Sequence, residues 1–254
     1  MRVAFSPCPN DTYLFYALVH SKIEALSIEP HYLDIEALNQ LLLKGHFPIS
    51  KGSIALLPYI QHEYELLPVG AAVGNKCGPL LVGNISKIEK EMRIAIPGVM
   101  TTAHLLLQRL YPSLTHKVFC AYHEVEKLIL QGSVDAGLLI HETRFTYQDK
   151  GLNLLADLGA QWEELYNLPI PLGGIFIKRN LNQAAQVSAI LRRSLTYAHE
   201  HPQEILPYIL KYSQDLSVEV VQKHIALYVT EETYALSEKA LKAIELLTTL
   251  QKVF

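Results

Sequence analysis

Four short segments of this chain carry side chains that could do chemistry, and each lies where an apolar run meets a polar turn. Near the start, Val3-Ala4-Phe5 gives way to Ser6-Pro7-Cys8-Pro9-Asn10-Asp11-Thr12, and the apolar run Tyr13-Leu14-Phe15-Tyr16-Ala17-Leu18-Val19 follows. Neither proline has an N–H to continue a sheet ladder, and Asn10, Asp11 and Thr12 are all helix-capping types. The expectation is a strand, a rigid turn and a helix whose first N–H groups can receive a carboxylate or phosphate. An ordinary capped turn has the same composition, so the residues alone leave both readings open.

The other three segments are similar in kind. Lys51-Gly52-Ser53 precedes the apolar Ile54-Ala55-Leu56-Leu57, and offers an ammonium group and a hydroxyl to an anionic ligand. The same residue types also make plain solvated loops. Thr101 and Thr102, in Pro97-Gly98-Val99-Met100-Thr101-Thr102-Ala103, place two hydroxyls and free N–H groups at a helix start. A Thr cap with a neighbour explains them equally well. His141 follows the buried-looking strand Ala136-Gly137-Leu138-Leu139-Ile140 and precedes Glu142-Thr143-Arg144-Phe145-Thr146-Tyr147. With an unperturbed pKa of about 6.5 it suits a general base, although a hydrogen-bonded structural histidine is the commoner case.

The elements that must position these residues alternate. Arg2–Phe5, Ser27–Leu33, a strand beginning in Gly52–Leu57, Leu66–Val73 and Leu80–Val82 are expected strands, with helices over Asp11–His20 and Ile35–Lys44. The alternation restarts with strands Arg93–Ile96, Lys117–Ala121 and Val134–Ile140, helices Thr101–Leu110 and Val125–Gln131, and apolar runs Leu152–Leu158 and Leu168–Ile177. From Leu181 onward about four helical segments follow, with breaks at His201-Pro202 and Ser217. Strands alternating with helices mean α/β architecture with mainly parallel sheets. Two such units and a helical tail suggest two lobes around a central ligand cleft. The expected division is lobe I from 1–82 plus 180–254 and an inserted lobe II from 85–175, with crossings near 78–82 and 171–177. This organisation resembles the type II periplasmic-binding-protein fold, in which ligand lies between the lobes.

Composition narrows the function classes. The chain has 254 residues, of which 50% are hydrophobic and 19% charged, enough for a large core. A net charge of −3 and scattered basic residues give no nucleic-acid footprint, and no apolar run is long enough to span a membrane. Three cysteines, Cys8, Cys77 and Cys120, form no C-x-x-C pair; an odd number and no signal-like start lead to a cytoplasmic expectation. His199 and His201 lack the spacing of a zinc pair, and no metal is expected. A homodimer is expected only on the general prevalence of symmetric oligomers.

Ser6-Pro7-Cys8-Pro9-Asn10-Asp11-Thr12 before an aromatic-rich helix resembles the opening of the 1,4-dihydroxy-6-naphthoate synthases, enzymes of the futalosine route to menaquinone. Lys51-Gly52-Ser53, the Pro97–Ala103 turn, Ile140-His141-Glu142-Thr143-Arg144-Phe145-Thr146-Tyr147 and Leu168-Pro169-Ile170-Pro171-Leu172-Gly173-Gly174 resemble further segments of that family, in the same order. The resemblance implies a lyase that converts cyclic dehypoxanthinyl futalosine, a small carboxylate, to 1,4-dihydroxy-6-naphthoate and dihydroxyacetone without a cofactor. It also implies that His141 is the proton acceptor and that Asn10, Asp11, Thr12, Lys51, Gly52, Ser53, Thr101 and Thr102 contact substrate. One departure stands out: Lys76, in Gly74-Asn75-Lys76-Cys77-Gly78-Pro79, occupies a place where the family usually has glycine. The competing expectations are a chorismate dehydratase of the same pathway, a solute-binding receptor for a transporter, and a ligand-sensing regulatory domain.

Overall fold

Two runs of short apolar strands, each too narrow to bury itself, build two separate sheets. They are seen in a computed structural model that describes residues 1–24, 26–213 and 217–251. The first half contributes β1 (Arg2–Phe5), α1 (Pro9–Val19), β2 (Glu29–Tyr32), α2 (Ile35–Leu43), β3 (Ile49–Ser53), α3 (Leu57–Ile60), β4 (Tyr64–Leu66) and β5 (Ala72–Gly74). Then come β6 (Leu80–Gly83), β7 (Ile94–Ile96), α4 (Thr102–Leu110), β8 (Lys117–Phe119), α5 (Val125–Leu130), β9 (Ala136–Leu139), β10 (Asn153–Asp157) and α6 (Leu158–Tyr166). The long strand β11 (Ile170–Lys178) leads into α7 (Ala184–Glu200), α8 (Pro202–Tyr212), α9 (Val218–Tyr228), α10 (Glu231–Tyr234) and α11 (Glu238–Gln251).

The first sheet has the order β2-β1-β3-β11-β4, with β5 also on β11; the second runs β10-β6-β9-β7-β8. The expectation of mainly parallel sheets needs correction. β1 is parallel to β2 and β3, and β7 to β8 and β9, but β11 and β6 pair antiparallel with every neighbour. The antiparallel strands adjoin the crossings, where the chain passes from one sheet to the other. β11 therefore returns the chain to the first sheet from Ile170 onward.

Three boundaries differ from the sequence expectation for clear reasons. The first helix begins at Pro9, with Cys8 as its N-cap, because proline is preorganised for the first helical position. Asn10, expected ahead of the helix, thus joins Asp11 and Thr12 inside the first turn. The strand expected to begin in Gly52–Leu57 instead begins at Ile49 and ends at Ser53, and the residues after it form a helical turn and then α3, which spans Pro58. The run Leu66–Val73 splits into β4 and β5 around Gly70, whose φ of 77° belongs to the left-handed region.

The core ties the two sheets together. One hydrophobic cluster contains Leu56 and Phe176 from the first sheet's side, Ile94, Leu106, Leu138 and Trp162 from the second, and Leu247 of α11. A second cluster packs Phe5, Phe15 and Ile175 against Leu191, Leu195, Ile209 and Val221 of the helical tail. Helices α7, α8 and α9 all lie against α1. At the crossing, a Cβ on Gly78 would stand 2.2 Å from the Gly159 Cα, so backbone meets backbone there.

Candidate functional site

Between the sheets lies a cleft with about 630 Å³ of free space, its open mouth included. It is lined by the start of α1, the end of β3, the start of α4, the β9–His141 junction and the β11 crossing, with Tyr228 from α9. Of the residues expected to carry function, Asn10, Asp11, Lys51, Ser53, Thr101, Thr102 and His141 all reach it. Gly52 and Thr12 are not among the lining residues.

Alternation explains Gly52. Successive residues of a strand face opposite ways, so Lys51 and Ser53 share the cleft face and Gly52 points to the other. A Cβ there would lie 2.4 Å from Leu42 Cδ1, and Gly52 is therefore a packing residue. The Thr12 hydroxyl turns back to the Cys8 and Pro9 carbonyls at 3.0 and 3.2 Å, as a helical Thr does when buried. Both are corrections to the expected contacts.

Asp11 is a scaffold rather than a free acid. Its Oδ2 accepts from the Ser6 hydroxyl at 2.6 Å and the Ser6 N–H at 3.2 Å, and its Oδ1 from Asn10 Nδ2 at 2.8 Å and Lys51 Nζ at 2.9 Å. Lys51 also donates to the Gly70 carbonyl at 3.1 Å, which leaves one of its three N–H bonds for a ligand. Gly70 is in turn held by its N–H on the Thr233 carbonyl at 2.7 Å. So α10, in the helical tail, sets the height of Lys51 above the cleft floor.

Ser53 has a partner that the sequence analysis missed. Asn39, wholly buried on α2, donates to Ser53 Oγ at 3.0 Å and accepts from Ser53 N–H at 2.8 Å. With Oγ accepting, the Ser53 O–H is free to donate into the cleft. Asn39 is one of two adjacent amides in Ile35–Leu43, with Gln40, and nothing local singles it out. The threonines also differ from expectation. Thr101 caps α4, accepting from the His104 N–H at 3.2 Å and donating to the Gly98 carbonyl at 3.0 Å. Thr102 donates to the Leu172 carbonyl at 2.8 Å and accepts from the Ala55 N–H at 3.3 Å, bridging elements on both sides of the cleft. Their hydroxyls are thus engaged, and what this turn offers a ligand is the helix N-terminus, the N–H groups of Thr102 and Ala103.

His141 takes a left-handed backbone, φ 62°, directly after β9. Only a few per cent of non-glycine residues do so, histidine among the more tolerant, and such strain concentrates at functional sites. Burial lowers its imidazole to about 4, Asp11 and Asp34 pull it upward, and Lys51 pushes it down. It is therefore neutral, with a lone pair to offer, through the physiological range. The Tyr122 ring packs on it at 4.8 Å. Arg144, three residues on, donates to the Gly78 and Lys76 carbonyls at 2.9 Å each and to Tyr228 Oη at 3.3 Å. That guanidinium fastens the His141 segment to the crossing. Lys76 adopts φ 56°, a left-handed conformation that glycine takes without strain.

The cysteines are not poised as nucleophiles. Burial and the neighbouring Glu142 carboxylate push the Cys8 thiol well up, and burial pushes Cys77 up to about 12. Cys8, His141 and Glu142 bring one ligand atom each within 4.8 Å of one another, the one such group among the described residues. A metal ion there would have to displace a strongly held thiol proton. The cleft as a whole combines a neutral imidazole, one ammonium N–H, a serine hydroxyl and two helix starts facing apolar walls such as Ile35, Ile140 and Leu172. Such a site can hold an anionic, partly apolar molecule and take a proton from it.

A family model described as menaquinone biosynthesis matches residues 1–252. A 1,4-dihydroxy-6-naphtoate synthase of Thermus thermophilus is 41% identical over 249 residues, covering 96% of this chain and 91% of that protein. A structure of a protein from Archaeoglobus fulgidus superposes with a TM-score of 0.94 at 34% identity, covering 99% of this chain and 96% of that one. The alkanesulfonate-binding protein SsuA of Xanthomonas axonopodis shares the fold, with a TM-score of 0.70 at 18% identity over 100% of this chain and 93% of that one.

Proposed function

Since this chain belongs to the menaquinone biosynthesis family, matched almost end to end, we propose that it is the carbon–carbon lyase that forms 1,4-dihydroxy-6-naphthoate from cyclic dehypoxanthinyl futalosine, with release of dihydroxyacetone. The observation that carries this reading is a neutral, strained histidine facing the open N–H of Lys51 across a cleft lined by two helix starts. The reaction removes a proton, breaks one carbon–carbon bond and leaves an aromatic ring, so it needs a base and a place for developing oxyanion charge. His141 takes the proton. Lys51, the Ser53 hydroxyl, the Asn10 N–H at the start of α1 and the Thr102 and Ala103 N–H groups at the start of α4 hold the carboxylate and hydroxyl oxygens. Ile35, Ala103, Ile140 and Leu172 pack the ring and keep water away.

Lobe I, residues 1–82 plus 180–254, would supply Lys51, Ser53 and the start of α1, and lobe II, 85–175, the base and the start of α4. Three free cysteines support a cytoplasmic site of action. No helix of the described residues is long and apolar enough to cross a membrane. The test is an assay of the purified protein and of His141→Asn, with cyclic dehypoxanthinyl futalosine and chorismate in parallel. Asparagine also tolerates the left-handed backbone, so the fold is kept. Dihydroxynaphthoate formed by the wild type and lost by at least 100-fold in the variant, with substrate binding retained, is the expected result. Turnover of chorismate alone would make it the sister dehydratase, and binding without turnover a receptor.

A further inference from the structure

The imidazole of His224, on α9, is fully buried, and neither ring nitrogen has a hydrogen-bond partner. A neutral imidazole carries one N–H donor and one lone-pair acceptor, and burying either unpaired is costly enough to call for a reason. Its ring lies 4.5 Å from Tyr228, 6.4 Å from Phe145 and 6.3 Å from His141, tilted only 26° from the last. His141 presents a matching deficit: its Nε2 is enclosed without a partner, while Nδ1 is the nitrogen not so enclosed. Burial, then the charges of His141 and Arg144, hold His224 well below the ordinary histidine range. At a centroid separation of 6.3 Å one water, which needs two to four polar partners, can span the two rings where their nitrogens face each other.

We propose that His224 is the positioning residue of the base: the Nε2–H of His141 donates to one water between the rings, and that water donates to the lone pair of a His224 ring nitrogen, which fixes the tautomer that presents Nδ1 to the cleft. No proton has to cross to His224. The Nε2–H bond is present before and after Nδ1 takes the substrate's proton, and it strengthens as His141 becomes positive. The groups that face this pair are Asp11, Asp34, Lys51, Cys8, Glu142 and Tyr122 around His141, and Arg144 and Tyr228 around His224. The inference rests on His141 being the base. Its test separates the two by reading the tautomer in the ligand-free protein, where turnover plays no part.

Nitrogen-15 spectra of the imidazoles in the full chain should show His141 protonated at Nε2, and His224→Leu should mix the tautomers. In kinetics, His224→Leu should lower kcat by about 10- to 100-fold with KM changed less than about twofold. It should also move the acid limb of kcat/KM to lower pH, because the imidazolium loses its acceptor. His224→Gln, which can still reach a water, should restore most of the rate. A His141 protonated at Nδ1 in the wild type would overturn the proposal even if His224→Leu does not fold. So would a folded His224→Leu whose tautomer and acid limb are those of the wild type.

Discussion

Asp11 Oδ1 and Lys51 Nζ lie 2.9 Å apart at the floor of the cleft, with side chains only 1% and 5% exposed. The pair joins α1 to β3, and it gives the site a fixed ammonium group without a net buried charge. Removing one partner of such a pair costs far more than removing both, because the survivor is left charged and unsolvated. Lys51→Met should destabilise the protein by about 3–5 kcal/mol in urea denaturation. Adding Asp11→Asn should recover most of that loss, while KM stays at least tenfold raised in both. Equal stability for the single and double variants would show that the pair is not coupled.

Stability should depend on pH through His141. Its imidazole is lowered to about 4 in the folded protein, against about 6.5 unfolded. Between those values the unfolded chain binds a proton that the folded one refuses. Stability is therefore full above about pH 6.5 and declines as pH falls toward 4, at up to ~1.4 kcal/mol per pH unit. His224, lowered in the same direction, steepens the decline. Thermal midpoints of the wild type and His141→Asn between pH 4 and pH 8 check this, and the variant should show the shallower slope.

The threonine hydroxyls at the start of α4 hold structure. Thr101→Ala removes a cap and should cost about 1 kcal/mol, with KM changed less than about threefold. Thr102→Val breaks a bridge between Ala55 and Leu172 and should cost about 1–3 kcal/mol. A tenfold rise in KM for Thr101→Ala, without loss of stability, would instead put that hydroxyl on the substrate.

Lys76 bears a left-handed backbone that costs a non-glycine residue roughly 1–2 kcal/mol, part of which its replacement returns as chain entropy. Lys76→Gly should therefore stabilise the protein by up to about 1 kcal/mol and leave kcat unchanged. Differential scanning calorimetry decides it, and a lower midpoint would refute the strain.

The segments that carry chemistry were legible in the sequence because each side chain sits next to a local break: a proline turn at Pro7 and Pro9, a polar residue after an apolar strand at His141. What those residues do with their hydrogen bonds was not legible. Thr12, Thr101 and Thr102 have the right types and places, yet their hydroxyls are satisfied by carbonyls at short range or across the cleft. Gly52 was separated from Lys51 and Ser53 only by strand alternation, which required knowing that β3 ends at Ser53.

Sequence by itself determined the α/β class, the order of the functional turns and the candidate base, since all of these rest on neighbours along the chain. Tertiary structure alone decided which residues complete the site. Asn39 behind Ser53, Tyr228 and His224 from α9, and Thr233 beneath Gly70 are 14 to 163 positions from their partners, and no local pattern marks them. The reason is physical. A buried donor or acceptor must be satisfied by whatever the fold brings within about 3 Å, and folding, not adjacency in the chain, selects that neighbour.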